Sequence, residues 1–136
     1  LIMGHDTADH KDWTEMYEVL GVTDGNPWLG TPDPGTARVL TLDSITQYPF
    51  VLPSTFTIQC THTTGFWPNS GATLNEDFNL PDQYDFYVVS HNFGSGRAAM
   101  TEWGHCAYWC DCSNAYGIPG ADEQKSLINL IYWAAA

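Results

Sequence analysis

The strongest constraint on the fold is a strict alternation of apolar and polar residues over 54–64, which has the sequence STFTIQCTHTT. One side of this segment carries threonines and a glutamine, and the other carries Phe56, Ile58, Cys60 and His62. A period of two places successive side chains on opposite faces of a sheet, so the pattern predicts a half-buried β-strand. The segment QYDFYVVSHNF over 83–93 predicts a second strand. A chain with two such segments is expected to contain a sheet.

Helical patterns lie at both ends of the chain. Within 8–20, apolar residues recur at i, i+3, i+4 and i+7, and Gly21 is placed to end the helix; the repeating residues are Trp13, Met16, Tyr17 and Leu20. The segment GADEQKSLINLIYWAAA predicts a last helix, capped near Asp122 and apolar in its second half. We therefore predict an α+β fold. It would be a small antiparallel sheet or sandwich with an N-terminal amphipathic helix and a C-terminal apolar helix, in a single domain over 1–136.

The charge balance excludes one class of partner. Sixteen acidic residues face four basic ones, which gives a net charge of −12 over the 136 residues. Nucleic-acid binding requires a basic surface to neutralise phosphates, and this chain does not supply one. Anionic membrane surfaces are disfavoured for the same reason, so membrane contact is expected only through the C-terminal helix. A protein partner or a larger complex is the expected partner class.

The cysteines allow more than one interpretation. An even number of them favours two disulfides in an oxidising compartment, and they are Cys60, Cys106, Cys110 and Cys112. A zinc or iron–sulfur site of four cysteines and free thiols are the alternatives, although the spacing matches no standard ligand pattern. Few lysines, many aromatic residues and paired cysteines together predict an extracytoplasmic location, which would be secreted, periplasmic or within an organelle lumen.

Histidine and carboxylate side chains suggest two metal sites. One group lies at the start of the first predicted helix and consists of His5, Asp6, Asp9 and His10. Imidazole and carboxylate suit zinc, manganese or iron, while capping of the helix start is the alternative explanation for the aspartates. A second zinc site would form if the predicted strands brought together His62, His91 and His105. The acidic segment 75–85 offers oxygen ligands for calcium, with a solvated loop as its alternative.

No nucleophile motif such as G-x-S-x-G is present, which favours a non-catalytic role. We predict an accessory or interaction subunit that docks to a larger, membrane-associated assembly, for which a photosynthetic lumenal complex is one example. The expected interface residues are Trp28, Phe66, Trp67, Ile131, Tyr132 and Trp133. A metal-dependent hydrolase with histidine and aspartate ligands is one alternative. A glycan-binding module that stacks sugars on Trp28, Phe66 or Trp67 is the other.

Overall fold

The computed structural model describes residues 1–3, 14–24, 35–58, 66–78, 86–102 and 120–136. The strands are β1 (Ile2–Met3), β2 (Val22–Asp24), β3 (Gly35–Val39), β4 (Thr55–Ile58), β5 (Phe66–Pro68), β6 (Ala72–Phe78), β7 (Phe86–Phe93) and β8 (Gly96–Thr101). The helices are α1 (Thr14–Leu20), α2 (Ser44–Gln47) and α3 (Ala121–Ala135). The predicted α+β fold, with small antiparallel sheets and a helix near each end, is confirmed.

A six-stranded sheet in the order β1-β8-β7-β6-β3-β4 organises the described residues. The β1–β8 pair is parallel, and the other pairs of this sheet are antiparallel. A second, two-stranded antiparallel sheet joins β2 to β5. Strand β7 lies inside the larger sheet, and its residues 86–90 are all buried because both faces of the sheet are covered.

The strand predicted from the alternating pattern is confirmed over its described part. In β4, Phe56 and Ile58 are buried while Thr55 and Thr57 are exposed. Cys60 and His62 lie outside the described residues. The second predicted strand is confirmed as β7.

Each face of the large sheet has its own apolar core. On the face covered by α2 and α3, the buried side chains include Phe56, Phe78, Tyr87 and Leu130. Tyr87 packs edge-on against both phenylalanines, with ring centroids 6.0 and 5.2 Å away. On the face covered by α1, the buried side chains include Leu20, Val89 and Met100. The aromatic richness of the chain is thus used at least partly for packing.

The first helix ends at the glycine that the sequence indicates. Gly21 has a φ of 73°, and its amide donates to the Glu18 carbonyl at 3.3 Å. Leu20 is fully buried, and Met16 and Tyr17 pack against the same core, so the apolar stripe is confirmed in the described part of this helix. A left-handed residue at this place is what lets the chain turn from α1 into β2.

We expect Gly21→Ala to lower the free energy of unfolding by about 2 to 3 kcal/mol. An added Cβ would lie 2.7 Å from the Cβ of His91 and 2.8 Å from the Cβ of Ala72, and the backbone conformation disfavours any side chain. Urea unfolding measures the change. Gly94→Ala is the matched control, because Gly94 also has a positive φ but nothing lies within 4 Å of its added Cβ. We expect it to cost only about 1 kcal/mol; equal losses in the two variants would contradict the steric explanation.

Candidate functional site

Helix α3 buries several polar side chains and exposes several apolar ones. Its fully buried residues are mostly polar and comprise Glu123, Ser126, Asn129 and Leu130. Its large exposed residues are apolar or aromatic: Ile128 is 38% exposed, Ile131 48% and Tyr132 52%. Leu127 and Trp133 also pack against the core, so the helix covers it, but its large exposed side chains form an apolar surface that the core does not require.

The segment after α2 extends this apolar surface. Tyr48 is 61% exposed and lies edge-on to Tyr132, with ring centroids 5.9 Å apart. Phe50 is 40% exposed, and its backbone is fixed to α3 by the Asn129 side chain. The Asn129 Oδ1 accepts from the Phe50 amide at 2.9 Å, and its Nδ2 donates to the Phe50 carbonyl at 2.7 Å. We call the resulting surface the outer face; it consists of Tyr48, Phe50, Ile128, Ile131 and Tyr132.

The start of α2 fixes where this segment begins. The Asp43 carboxylate accepts from the amides of Ile45 and Thr46 at 2.9 and 3.3 Å, and the Thr46 hydroxyl accepts from the Asp43 amide. This capping box satisfies amides that the short helix leaves without intrahelical partners. Asn75 of β6 donates to the second Asp43 carboxylate oxygen at 2.8 Å, which ties the cap to the sheet.

Beneath α3, buried polar side chains connect the helix to the sheet. The Ser126 hydroxyl donates to Glu76 Oε1 at 2.8 Å, and the Tyr87 hydroxyl donates to Glu123 Oε1 at 3.1 Å. The other Glu123 oxygen accepts from the Gly120 amide at 3.0 Å, where the helix begins. Glu102, which directly follows β8, is also buried. Because these side chains are enclosed, their evident role is to hold the helix rather than to receive a substrate.

Burial raises the pKa of two side chains beneath α3, Glu76 and Tyr87. It raises the pKa of Glu76 to about 8, against the opposing effect of the Ser126 hydrogen bond and with a further contribution from the negative charge of Asp43. Glu76 Oε2 has no hydrogen-bond partner within the described ranges. Burial and the neighbouring charges of Glu123, Glu76 and Glu102 raise the pKa of Tyr87 well above its ordinary value. At neutral pH the Glu76 carboxyl therefore carries a proton.

A small pocket opens beside the outer face. Its volume is about 260 Å³, and its lining residues are Ser44, Tyr48, Arg97, Tyr132, Trp133 and Ala136. The Arg97 guanidinium lies 5.5 Å from the Trp133 ring centroid and donates through Nη1 to the Trp133 carbonyl. An aromatic face in this geometry stabilises the cation.

The described residues do not test either predicted metal site, because nearly all of the candidate ligands lie outside them. No group of three or more histidine, cysteine, aspartate or glutamate side chains in the described part of the chain is arranged to hold a metal ion. His91 is half-buried, and its Nδ1 lies 3.0 Å from the Val19 carbonyl, so it supports the end of α1. The remaining candidate ligands lie outside the described residues: His5, Asp6, Asp9, His10, His62 and His105.

The start of the acidic segment does not form a calcium loop. Residues 75–78 belong to β6, and the polar side chains among them bind different partners. Asn75 binds Asp43, Glu76 binds Ser126, and Asp77 pairs with Arg38. These oxygens therefore do not converge on one point. Residues 79–85 lie outside the described ranges.

The predicted interface residues have different surroundings. Ile131 and Tyr132 are on the outer face, whereas Trp133 is half-buried against the core beside Arg97. Phe66 and Trp67 are in β5, and Trp67 is 39% exposed. Trp28 and all the cysteines lie outside the described residues, so the disulfides and the glycan-binding alternative remain predictions. Within the described ranges, no helix is long and apolar enough to cross a membrane.

Sequence reasoning missed several residues that the structure brings together at this site. Tyr48 and Phe50 lie in a segment without periodicity, although Asp43 followed by Thr46 is a capping signal that could have located α2. Arg97 could have been singled out as one of four basic residues in a chain of charge −12. The line of Glu123, Ser126 and Leu130 at i, i+3 and i+7 could have indicated the buried face of α3.

No family model matches the chain, and no curated protein matches it. The structure is similar to a cytoplasmic protein of Salmonella typhimurium LT2, with a TM-score of 0.65 and 16% identity over 98% of this chain and 54% of that protein. Another cytoplasmic protein of Salmonella typhimurium has a TM-score of 0.59 and 17% identity, over 98% of this chain and 53% of that protein. A β-galactosidase from Bacillus circulans sp. alkalophilus has a TM-score of 0.57 and 13% identity over 90% of this chain and 15% of the enzyme.

These similarities establish the fold alone, and the chain spans about half the length of the two Salmonella proteins. They contradict the predicted secreted, periplasmic or lumenal location, because both of those neighbours are cytoplasmic proteins. The prediction of location was wrong because abundant aromatic residues do not indicate a compartment. In the described residues several of them, such as Phe56, Phe78 and Tyr87, fill a core, which any compartment permits.

Proposed function

We propose that the chain is a non-catalytic interaction module that docks to a larger assembly through the outer face. The observation that carries this proposal is the apolar outer side of α3, on which Ile128, Ile131 and Tyr132 are exposed. Exposed apolar groups that adjoin one another mark interaction sites far more often than single ones do. Tyrosine and phenylalanine are also favoured at the centres of protein interfaces.

The charges define the partner. All five residues of the outer face are uncharged, while the chain as a whole has a net charge of −12. We therefore expect a partner surface that is apolar at its centre and basic at its rim, since a basic rim would be attracted by the net negative charge of the chain.

Site-specific photo-cross-linking tests the proposal. A photoreactive residue is placed at Ile131 on the outer face and, as a control, at Thr57, which is exposed on strand β4. In cells that make the protein, we expect a cross-link to one defined partner protein from position 131 and none from position 57. Mass spectrometry identifies that partner, which is then purified for binding measurements.

Binding of the purified partner supplies the quantitative test. We expect Ile131→Asp to raise Kd by about tenfold or more, because a carboxylate would be buried against an apolar patch. Thr57→Asp should leave Kd unchanged. The proposal would be wrong if the partner bound Ile131→Asp as tightly as the original protein. A cross-link to a second copy of the chain would also contradict docking to a larger assembly.

A further inference from the structure

Arg97 is in an unusual position for a cation in this chain. Arg38 pairs with Asp77 through contacts of 3.1 and 2.6 Å, and Lys125 pairs with Asp122 at 2.7 Å. Arg97 has no carboxylate partner among the described residues; its side chain instead contacts the ring and the carbonyl of Trp133. A guanidinium has five N–H donors, and Arg97 is one of the residues that line the pocket beside the outer face.

The pocket around Arg97 has a definite size and chemistry. Its volume of about 260 Å³ lies below the range of roughly 300 to 1,000 Å³ that is usual for drug-sized ligands, so it suits a group of about one side chain. Three of its lining residues are aromatic, namely Tyr48, Tyr132 and Trp133, and Ser44 also lines it. A pocket with one cation among aromatic residues suits a ligand group that carries a single negative charge on a narrow apolar chain.

We propose that this pocket binds a carboxylate group carried on such a chain, with Arg97 as the group that pairs with it. A planar carboxylate fits the fork of a guanidinium through two parallel hydrogen bonds. A phosphate dianion would need more positive charge than one arginine supplies. The carboxylate could come from a free small acid or from an aspartate or glutamate of a docked protein. The proposal goes beyond the docking function and does not depend on it.

Two pairs of probes separate these sources in NMR titrations that follow the Arg97 Nε–H and the Trp133 indole signals. The first pair is butyrate and butyramide, and the second is a short blocked peptide with a central glutamate between leucines and its glutamine counterpart. We expect saturable shifts with the acid of each pair and none with the amide, with Kd on the order of 1 mM for butyrate. Binding of the peptide more than tenfold tighter than butyrate would indicate a protein source, and equal affinities would indicate a free acid.

Matched variants test the role of Arg97. We expect Arg97→Gln to weaken butyrate binding at least tenfold. Arg38→Gln is the control, because Arg38 is already paired with Asp77, and it should leave butyrate binding unchanged. A second variant is needed because Arg97 also contacts the end of α3. Tyr48→Ala removes a residue that lines the pocket and leaves Arg97 in place. We expect it to weaken butyrate binding threefold or more. Circular dichroism checks the fold of each variant. Equal shifts with acid and amide, or undiminished binding by folded Arg97→Gln and Tyr48→Ala, would overturn the proposal.

Discussion

The protein is expected to lose stability as the pH rises from about 4.5 to about 8, and Glu76→Gln is expected to remove most of that loss. Burial raises the pKa of Glu76 from 4.5 to about 8 in the folded state, so within this interval the folded protein holds a proton that the unfolded chain has released. The state that binds more protons is favoured by acid. The stabilisation that protonated Glu76 gives to the folded state is therefore complete below the pKa of the unfolded chain. It declines through the interval and is gone above the pKa of the folded protein.

The size of this effect follows from the two pKa values. A pKa shift of this extent corresponds to a change in the free energy of unfolding of at most about 5 kcal/mol between the ends of the interval. Glutamine has nearly the same shape, can accept the Ser126 hydrogen bond and never ionises, so Glu76→Gln should be more stable than the original protein at the alkaline end.

Urea unfolding at several pH values from about 4.5 to about 8 measures this difference. Glu18→Gln, which changes an exposed glutamate of α1, is the control and should follow the original curve. Other buried carboxyl groups, such as Glu102 and Glu123, are present in every variant and cancel in the comparison. If the curves for Glu76→Gln and the original protein ran parallel, Glu76 would not be the group whose burial raises proton affinity.

The sequence predicts those parts of the fold in which local pattern and burial agree. Alternation in β4 places Phe56 and Ile58 inside, and the glycine at position 21 ends α1, because each signal depends only on neighbours along the chain. Charge alone favours a solvated loop for the acidic segment from residue 75, whereas residues 75–78 are in strand β6. In β6, Glu76 is paired with a serine 50 positions away, and composition cannot reveal that partner.

The same limit explains why the candidate site was only partly predicted. Ile131 and Tyr132 were expected at an interface because the end of the last helix is apolar, and they are exposed. Tyr48 and Phe50 lie beside Ile131 and Tyr132 because Asn129 binds the backbone of Phe50, which is 79 positions earlier in the chain. Arg97 comes to Trp133 from another element 36 positions away. Such contacts depend on how elements pack, which periodicity within one element does not encode.

Leu130→Ala should be strongly destabilising, whereas Ile131→Ala, one position further along α3, should have almost no effect on stability. Leu130 is fully buried in the core that α3 shares with the sheet, so its truncation should cost about 2 to 4 kcal/mol through lost packing and a new cavity. Ile131 is 48% exposed on the outer face, and its truncation should cost less than about 0.5 kcal/mol. Both substitutions replace a four-carbon side chain by a methyl group, which makes the pair a matched comparison.

Thermal and urea unfolding of the two variants measure the free energies, and binding of the cross-linked partner measures docking. We expect Leu130→Ala to lose stability and Ile131→Ala to lose affinity while remaining as stable as the original protein. Truncation of an apolar residue that stabilises the fold lowers the free energy of unfolding. Truncation of an apolar residue that only contacts a partner lowers the affinity for that partner. Comparable losses of stability in the two variants would show that Ile131 serves the fold of the isolated chain, and the outer face would then lose its main support as a docking surface.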